Sequence, residues 1–158
     1  MNFRRFDPAL LPELMAWFPD AITLRTWGGP AFRHPFTPES FREDAKVDEI
    51  DSWSLVGDDG ALAAFGQCYL RVGRCHFGRV AVAPGARGGG LGTRLLREMA
   101  REGHAKFGDR ELSLFVYRDN EAAHRLYRRL GFVEVEYPDR DTPTEGMRYM
   151  IATGLADG

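Results

Sequence analysis

The 158-residue sequence contains little cysteine and little excess of either charge. Its two cysteines, Cys68 and Cys75, lie in strand-like sequence and indicate a reducing compartment with no disulfide framework. A net charge of −2 provides no basic field for nucleic acid or for an anionic membrane surface, so neither is expected as a partner. No apolar run approaches the ~20 residues that a membrane span requires.

Targeting and metal-binding patterns are missing as well. The opening segment MNFRRFDPAL lacks the apolar region of a secretory signal, which predicts a cytoplasmic protein. No spacing of His, Cys and carboxylate residues suggests a metal site, so no metal cofactor is expected. The length fits one domain, which we expect to cover residues 1–158.

Turn residues and hydrophobic periodicity divide the chain into short elements. Strands are predicted at NFRRF, SWSLV, ALAAFGQCYL, CHFGRVAVAP, LSLFVY, FVEVEY and MRYMIA. Helices are predicted from Asp7-Pro8, from Thr37 to about Val47, from Leu91, and at NEAAHRLYRRL. Residues 19–36 are expected to form a long structured loop. The order β-α-α-β-β-β-α-β-α-β-β predicts a mixed α/β domain.

Glycine is concentrated in ARGGGLGTRLL, residues 86–96, between a predicted strand and a predicted helix. A helix N terminus has unpaired main-chain N–H groups and a partial positive charge, both of which suit a phosphate. Glycine allows close approach because it has no Cβ and tolerates positive φ. The segment therefore favours diphosphate binding, with Arg87 and Arg94 as nearby cations. The alternative is a flexible turn whose glycines serve tight packing.

Two common nucleotide-binding patterns fit this segment poorly. A Walker loop requires a lysine where Leu91 stands. A dinucleotide fingerprint requires a glycine at Thr93 and an acidic residue at the end of the next strand, whereas Glu111 stands at its beginning. A nucleotide-binding protein therefore stays a hypothesis that these residues support only weakly.

A different pattern fits, because Arg-x-x-Gly-x-Gly at residues 87–92 follows the strand RVAVAP and opens a helix. The segment VAVAPGARGGGLGTRLL closely resembles the acetyl-CoA-binding signature of the GCN5-related N-acetyltransferase (GNAT) superfamily. A second block, LFVYRDNEAAHRLYRRLGFV, resembles the strand–Asn–helix–Tyr–Gly-Phe segment of the same family. The two blocks cover residues 79–133 in the family's order and spacing. The resemblance implies the GNAT fold, a mixed, mostly antiparallel sheet flanked by about four helices.

The resemblance also implies a role for each matching residue, with acetyl-CoA as the co-substrate. Backbone groups of one strand segment would hold the pantetheine arm and the thioester carbonyl: Val80, Ala81 and Val82. Main-chain amides of the next segment would bind the pyrophosphate: Arg87, Gly88, Gly89, Gly90, Leu91 and Gly92, with Thr93 adjoining. Asn120 would contact the pantetheine end, and Tyr127 would donate a proton to the departing thiolate.

Acid chemistry can be argued for Tyr127 and base chemistry for His76. Asn120 and Tyr127 lie two helical turns apart and would share a face. A phenol of pKa about 10 can protonate a thiolate while staying neutral at pH 7. The alternative role for Tyr127 is an aromatic packing anchor. His76, at the strand position where some members of the family carry a catalytic glutamate, would accept the amine proton through a water relay. A partly buried, hydrogen-bonded histidine is the equal alternative.

These features predict an acetyl-CoA-dependent N-acetyltransferase that acts directly on a primary amine of a small molecule, peptide or protein. A catalytically silent acyl-CoA-binding or sensing module on the same fold is the alternative, and the presence of Asn120 and Tyr127 argues against it. Residues 17–37 and the final strands are expected to supply the acceptor pocket, with a few of their aromatics lining it and most packed in the core. A homodimer is compatible with the resemblance, since dimers are frequent in such families.

Overall fold

The structure, a computed structural model, describes residues 1–156. Its strands are β1 (Asn2–Arg5), β2 (Ser52–Val56), β3 (Leu62–Arg71), β4 (Arg74–Val82), β5 (Leu112–Tyr117), β6 (Val133–Val135) and β7 (Met147–Ala152). Its α-helices are α1 (Leu11–Ala16), α2 (Ala21–Gly28), α3 (Pro38–Asp44), α4 (Leu91–Phe107) and α5 (Glu121–Arg129). Single turns of 3₁₀ helix precede α1 at Pro8–Leu10 and α4 at Pro84–Ala86.

The seven strands are hydrogen-bonded in the order β1-β2-β3-β4-β5-β7-β6. The pairs β1–β2, β2–β3, β5–β7 and β6–β7 are antiparallel, and β4–β5 is parallel. A parallel pair needs a crossover connection, which α4 supplies. The predicted mixed, mostly antiparallel α/β fold is therefore confirmed.

The long loop predicted at residues 19–36 is wrong in its first half, where the chain forms α2. Asp20 caps this helix, because its side chain accepts a 2.8 Å hydrogen bond from the Thr23 N–H. Leu24 fixes the helix to the core and is fully buried. The described residues thus contain five α-helices rather than about four, and the order has one helix more than predicted.

The chain divides into two compact units. The first unit comprises residues 1–67 and 79–95, and the second comprises residues 68–78 and the chain from Leu96 onward. Strands β3 and β4 and helix α4 each contribute to both units, because the division falls inside them. The single domain expected over residues 1–158 stays a prediction.

The core of the first unit is rich in aromatic side chains. Trp27 of α2 lies parallel to Phe18, with ring centroids 4.3 Å apart, and parallel to Phe41, at 5.7 Å. Phe32 packs against both Trp27 and Phe41. Phe18, Phe32 and Phe41 are buried. These aromatics of the 17–37 region and of α3 therefore pack in the core, as expected for most of them, while the acceptor pocket expected from this region stays a prediction.

In the second unit, α4 packs on one side of the strands through Leu96 and Met99, both fully buried. A second aromatic cluster joins Phe115 of β5 to Tyr149 of β7 and to Tyr137, with ring centroids 4.8 to 5.2 Å apart. None of the helices within residues 1–156 has the length and apolar character of a membrane span.

Candidate functional site

The glycine-rich segment forms an open loop at the N terminus of α4, in the first unit. Gly88 and Gly90 have φ values of +84° and +81°, a conformation that side chains other than glycine rarely adopt. A Cβ added at either position would meet no atom of the described chain within 4 Å. The glycines are therefore required by backbone conformation and leave open space around the loop, which argues against the tight-packing alternative.

The first turn of α4 presents main-chain donors at this loop. Its first intrahelical hydrogen bond runs from the Arg94 N–H to the Gly90 carbonyl, at 3.1 Å. The N–H groups of Leu91, Gly92 and Thr93 precede that bond, so they have no acceptor within the helix. Together with the positive end of the helix dipole, they create a favourable position for an anion.

The two arginines of this segment differ in their surroundings. Arg87 is exposed, and its Nε donates a long, 3.4 Å hydrogen bond to the Val82 carbonyl. Arg94 donates to the Met1 carbonyl at 2.9 Å. Arg87 is therefore the more readily available of the two cations.

The predicted pantetheine-binding segment follows a distortion in β4. Arg79 has a φ of +49°, which is unusual for a residue with a side chain and places a kink immediately before Val80. Trp27 Nε1 donates a 2.7 Å hydrogen bond to the Arg79 carbonyl, and the Arg79 guanidinium donates to Gln67 Oε1 at 2.8 Å. Such strain persists only where surrounding contacts fix it, and it often marks functional segments.

Pairing along β4 changes near the same point. The register with β5 covers three pairs, from Cys75↔Leu112 to Phe77↔Leu114. β4 continues for five further residues, Gly78 to Val82, beyond that register. The side chains of Val80, Ala81 and Val82 are all half-buried. Main-chain groups of this stretch are suited to pair with an extended ligand, as the resemblance implies.

In the second unit, Asn120 is the N-cap of α5. Its Oδ1 accepts a hydrogen bond from the Ala123 N–H at 3.3 Å, and its φ and ψ of −87° and 74° are not helical. The side-chain oxygen thus has a local structural task, while the amide NH₂ is not involved in that cap. Asn120 precedes the helix, so it is placed at the helix end rather than on a turn above Tyr127.

Tyr127 lies in the last part of α5. Its ring meets the Phe132 ring edge-on, with centroids 5.9 Å apart, so the anchoring role is present. The residue is half-buried, and burial raises the pKa of its phenol to about 12. A phenol with this pKa stays protonated at neutral pH and retains a proton to donate, so the packing role and the acid role are compatible.

His76 of β4 is enclosed in the second unit. It is 2 % exposed, its Nδ1 lies 2.9 Å from Ser113 Oγ, and its ring packs edge-on against Tyr69 and Phe115. Burial, with a smaller contribution from the positive charge of Arg71, lowers the pKa of His76 to about 3. A base with this pKa is far from the range that suits proton abstraction near pH 7. The geometry supports the hydrogen-bonded alternative, and the general-base role stays a prediction.

We expect the enclosed His76 to make the fold sensitive to acid. Between the unfolded pKa of about 6.5 and the folded pKa of about 3, the unfolded chain binds a proton that the folded chain does not. Stability from this group is therefore complete above about pH 6.5 and decreases as the pH falls, by up to about 1.4 kcal/mol per pH unit. The free energy of urea unfolding, measured from about pH 7 to pH 5, should show this slope.

His76→Gln should reduce that slope, whereas His104→Gln, at an exposed position of α4, should leave it unchanged. Equal slopes for wild type and His76→Gln would contradict the account. The same variant tests the catalytic role: a base at His76 requires that His76→Gln lose activity chiefly at low pH, where the amine is most protonated.

The second unit also contains an open cavity of about 530 Å³ at the ends of β5, β6 and β7. Its lining residues are Arg118, Glu134, Val135, Glu136, Tyr137, Thr144, Met147 and Tyr149. Both glutamates are exposed, and Glu134 is paired with Arg148 at 2.9 Å and with Arg118 at 3.5 Å. Arg71 already lies over the Tyr137 ring and Arg74 over the Tyr149 ring, so the accessible Glu136 carboxylate is the feature of the lining that suits a cationic amine. Among residues 1–156 there is no cluster of His, Cys, Asp and Glu that could hold a metal ion.

Comparison with known proteins agrees with this local geometry. A model of the Acetyltransferase (GNAT) family matches residues 16–132. The chain belongs to this family. The match includes the first block that carried the resemblance and the second as far as Phe132, and it also covers α2 and α3.

Individual curated relatives match this chain at moderate sequence identity. A mycothiol acetyltransferase of Tsukamurella paurometabola is 33% identical over 169 residues, covering 86% of this chain and 56% of the relative. The chain spans 18% to 66% of the length of four curated relatives that it matches.

Solved structures confirm the fold. A ribosomal-protein-alanine N-acetyltransferase from Brucella melitensis has a TM-score of 0.69 at 23% identity, covering 96% of this chain and 98% of the other. The PaiA N-acetyltransferase of Thermoplasma acidophilum, solved in complex with coenzyme A, has a TM-score of 0.69 at 19% identity, covering 96% of this chain and 97% of the other.

Proposed function

We propose that this chain is an N-acetyltransferase that moves the acetyl group of acetyl-CoA directly to a primary amine, with residues 1–158 acting as one domain and Tyr127 as the general acid. Membership of the acetyltransferase family supports the reaction class. The observation that carries the proposal is the open glycine loop at the head of α4, with its positive φ values and with first-turn amides that have no acceptor within the helix. A related fold has been solved with coenzyme A bound, which supports the choice of co-substrate.

The phosphate end of acetyl-CoA is assigned to the first unit. Main-chain N–H groups from Arg87 to Thr93 donate to the pyrophosphate, and the exposed Arg87 guanidinium adds positive charge. Main-chain groups from Val80 to Val82 pair with the pantetheine arm and orient the thioester carbonyl. We propose that the Asn120 amide NH₂ contacts the same arm, since its oxygen is engaged in the helix cap.

Chemistry at the thioester then needs one proton removed and one proton supplied. A lysine-like amine is neutral only about once in 2,500 molecules at pH 7, which adds about 4.6 kcal/mol to the barrier unless a base or desolvation helps. After the amine attacks the carbonyl, Tyr127 donates its proton to the leaving sulfur. Because the pKa of Tyr127 is raised to about 12, the proton is present throughout the physiological range.

We assign the acceptor to the cavity of the second unit, with the Glu136 carboxylate attracting the ammonium form of the amine. Glu134 forms ion pairs with Arg118 and Arg148, so Glu136 is the lining carboxylate assigned to the ammonium group. Glu136→Gln is expected to raise KM for the amine several-fold and to leave kcat nearly unchanged, because it weakens ground-state binding alone. Glu145→Gln, at an exposed position outside the cavity lining, is the matched control. Equal KM values for Glu136→Gln and Glu145→Gln would overturn the assignment.

The reaction itself is tested by following free thiol released from acetyl-CoA across a panel of amines, amino acids and peptides bearing lysine or a free N terminus. Amine-dependent thiol release and acetylated product are the expected result. Binding of acetyl-CoA without release for any acceptor would favour the silent sensing module instead. Thermal stabilisation by NAD or ATP, with none from acetyl-CoA, would favour the nucleotide-binding hypothesis.

A further inference from the structure

The two cysteines of the chain meet inside the second unit, a pairing that their positions in the sequence did not reveal. Cys68 lies near the end of β3 and Cys75 near the start of β4, and their sulfur atoms are 2.9 Å apart. Both residues are 2 % exposed, and they are not joined by a disulfide. A disulfide requires the sulfurs to come closer by a little less than 1 Å, which is within the reach of small side-chain and backbone adjustments.

The turn that joins the two strands fixes this arrangement. Val72 and Gly73 connect β3 to β4, and both have positive φ, at +44° and +79°, as in the tight turns that set hairpin register. Positive φ is a strained conformation for the β-branched Val72. Leu70 and Val72 are also the exposed hydrophobic residues of this hairpin. Because both sulfurs are buried, a disulfide reagent reaches them when this end of the hairpin opens locally.

Helix α4 restrains the sulfurs from the other side. A Cβ added at Gly103 would lie 2.4 Å from Cys75 Sγ and 3.3 Å from Cys68 Sγ. Both sulfurs thus lie directly beneath a glycine of the helix, where no larger residue fits. This contact prevents either side chain from turning toward the helix and keeps the pair together.

The two thiols also differ in acidity, which gives thiol–disulfide exchange a preferred attacking thiol. The hydrogen bond from Cys68 lowers the pKa of Cys75, since it stabilises the Cys75 thiolate more than the thiol. Cys75 is then the thiol that reacts first, and Cys68 is the resolving thiol beside it.

We propose that Cys68 and Cys75 form a redox pair that a small-molecule disulfide converts, in the folded protein, to an intramolecular disulfide linking β3 to β4. The Cys75 thiolate attacks one sulfur of the oxidant, forming a mixed disulfide and expelling one thiolate. The Cys68 thiolate then attacks Cys75 Sγ and expels the second thiolate. The two cysteine protons end on the two released thiols, so one disulfide is reduced as one is formed.

The test uses the folded full chain, incubated with oxidised glutathione well below its unfolding temperature, quenched in acid, unfolded and alkylated. The expected product is a monomer whose mass is lower by two hydrogens and in which neither cysteine can be alkylated. Its midpoint of thermal unfolding should exceed that of the reduced chain by several degrees, because the link constrains the unfolded state. A double Cys68→Ser, Cys75→Ser variant should show no dependence on the oxidant.

Single variants separate the pair from independent thiols. Cys68→Ser is expected to stop at the mixed glutathione disulfide on Cys75, since no resolving thiol remains. Mass analysis of the wild type alone decides the question if the variants do not fold. Two thiols that stay alkylatable, a stable mixed disulfide in the wild type, or a disulfide between two chains would each overturn the proposal.

Discussion

Tyr127→Phe is expected to reduce kcat for amine acetylation about 100- to 1,000-fold, the usual contribution of a positioned general acid. Phenylalanine keeps the ring that packs against Phe132, so the fold and α5 should be preserved. Only the proton donor for the leaving sulfur is removed. Affinity for acetyl-CoA should change little, because the ground state does not use that proton transfer. Steady-state kinetics and a binding titration on the same preparation measure both quantities.

The pH profile gives this prediction a second readout. Because the pKa of Tyr127 is raised to about 12, its acid form is half lost only near that pH, and the wild type should show no descending limb below about pH 11. Activity should instead rise with pH as the amine loses its proton. Tyr117→Phe, at a half-buried position on β5, is the matched control and should retain nearly full activity. A kcat within about twofold of wild type for Tyr127→Phe would remove this residue from the mechanism.

Gly90→Ala should weaken acetyl-CoA binding about tenfold or more. The residue has a φ of +81°, and an alanine in the left-handed region costs roughly 1–2 kcal/mol, while a factor of ten in affinity corresponds to 1.4 kcal/mol. The added Cβ would meet no protein atom, so it would project into the open space where the diphosphate is expected. The loss should appear in Kd and in KM for acetyl-CoA more than in kcat.

Gly85→Ala provides the control for that substitution. Gly85 lies in the same connection between β4 and α4, its φ is not positive, and a Cβ there also meets nothing within 4 Å. It should bind acetyl-CoA as the wild type does. Equal affinities for Gly90→Ala and Gly85→Ala would show that the loop conformation is irrelevant to binding.

Local pattern was sufficient to locate most elements of this fold. The segments SWSLV, LSLFVY and MRYMIA coincide with β2, β5 and β7, because each is a short run of strand-forming residues with sharp ends. Helix α2 was missed since proline, glycine and aromatic residues around it resemble a loop, while its one clear start signal is the cap at Asp20. Burial of Leu24 stabilises α2 although the local sequence has only a weak preference for helix.

Features that depend on contacts between residues far apart in the sequence could not be predicted from local pattern. The left-handed conformation of Arg79 is held by Trp27 and Gln67, residues far from it in sequence. The shielding of His76 comes from Tyr69 and Phe115 on neighbouring strands, so alternation along β4 alone gave no information on its pKa. The glycine loop was predictable because its conformation is set by its own residues.

The central claim is that main-chain amides at the head of α4 bind the diphosphate of coenzyme A, and calorimetric titration of the folded chain tests it most directly. The account predicts saturable one-to-one binding of coenzyme A and acetyl-CoA in the micromolar range. Pantetheine, which keeps the thiol arm and lacks the diphosphate, should bind far more weakly. Absence of saturable heat with either coenzyme, in protein shown to be folded by circular dichroism, would contradict it, as would equal binding of pantetheine.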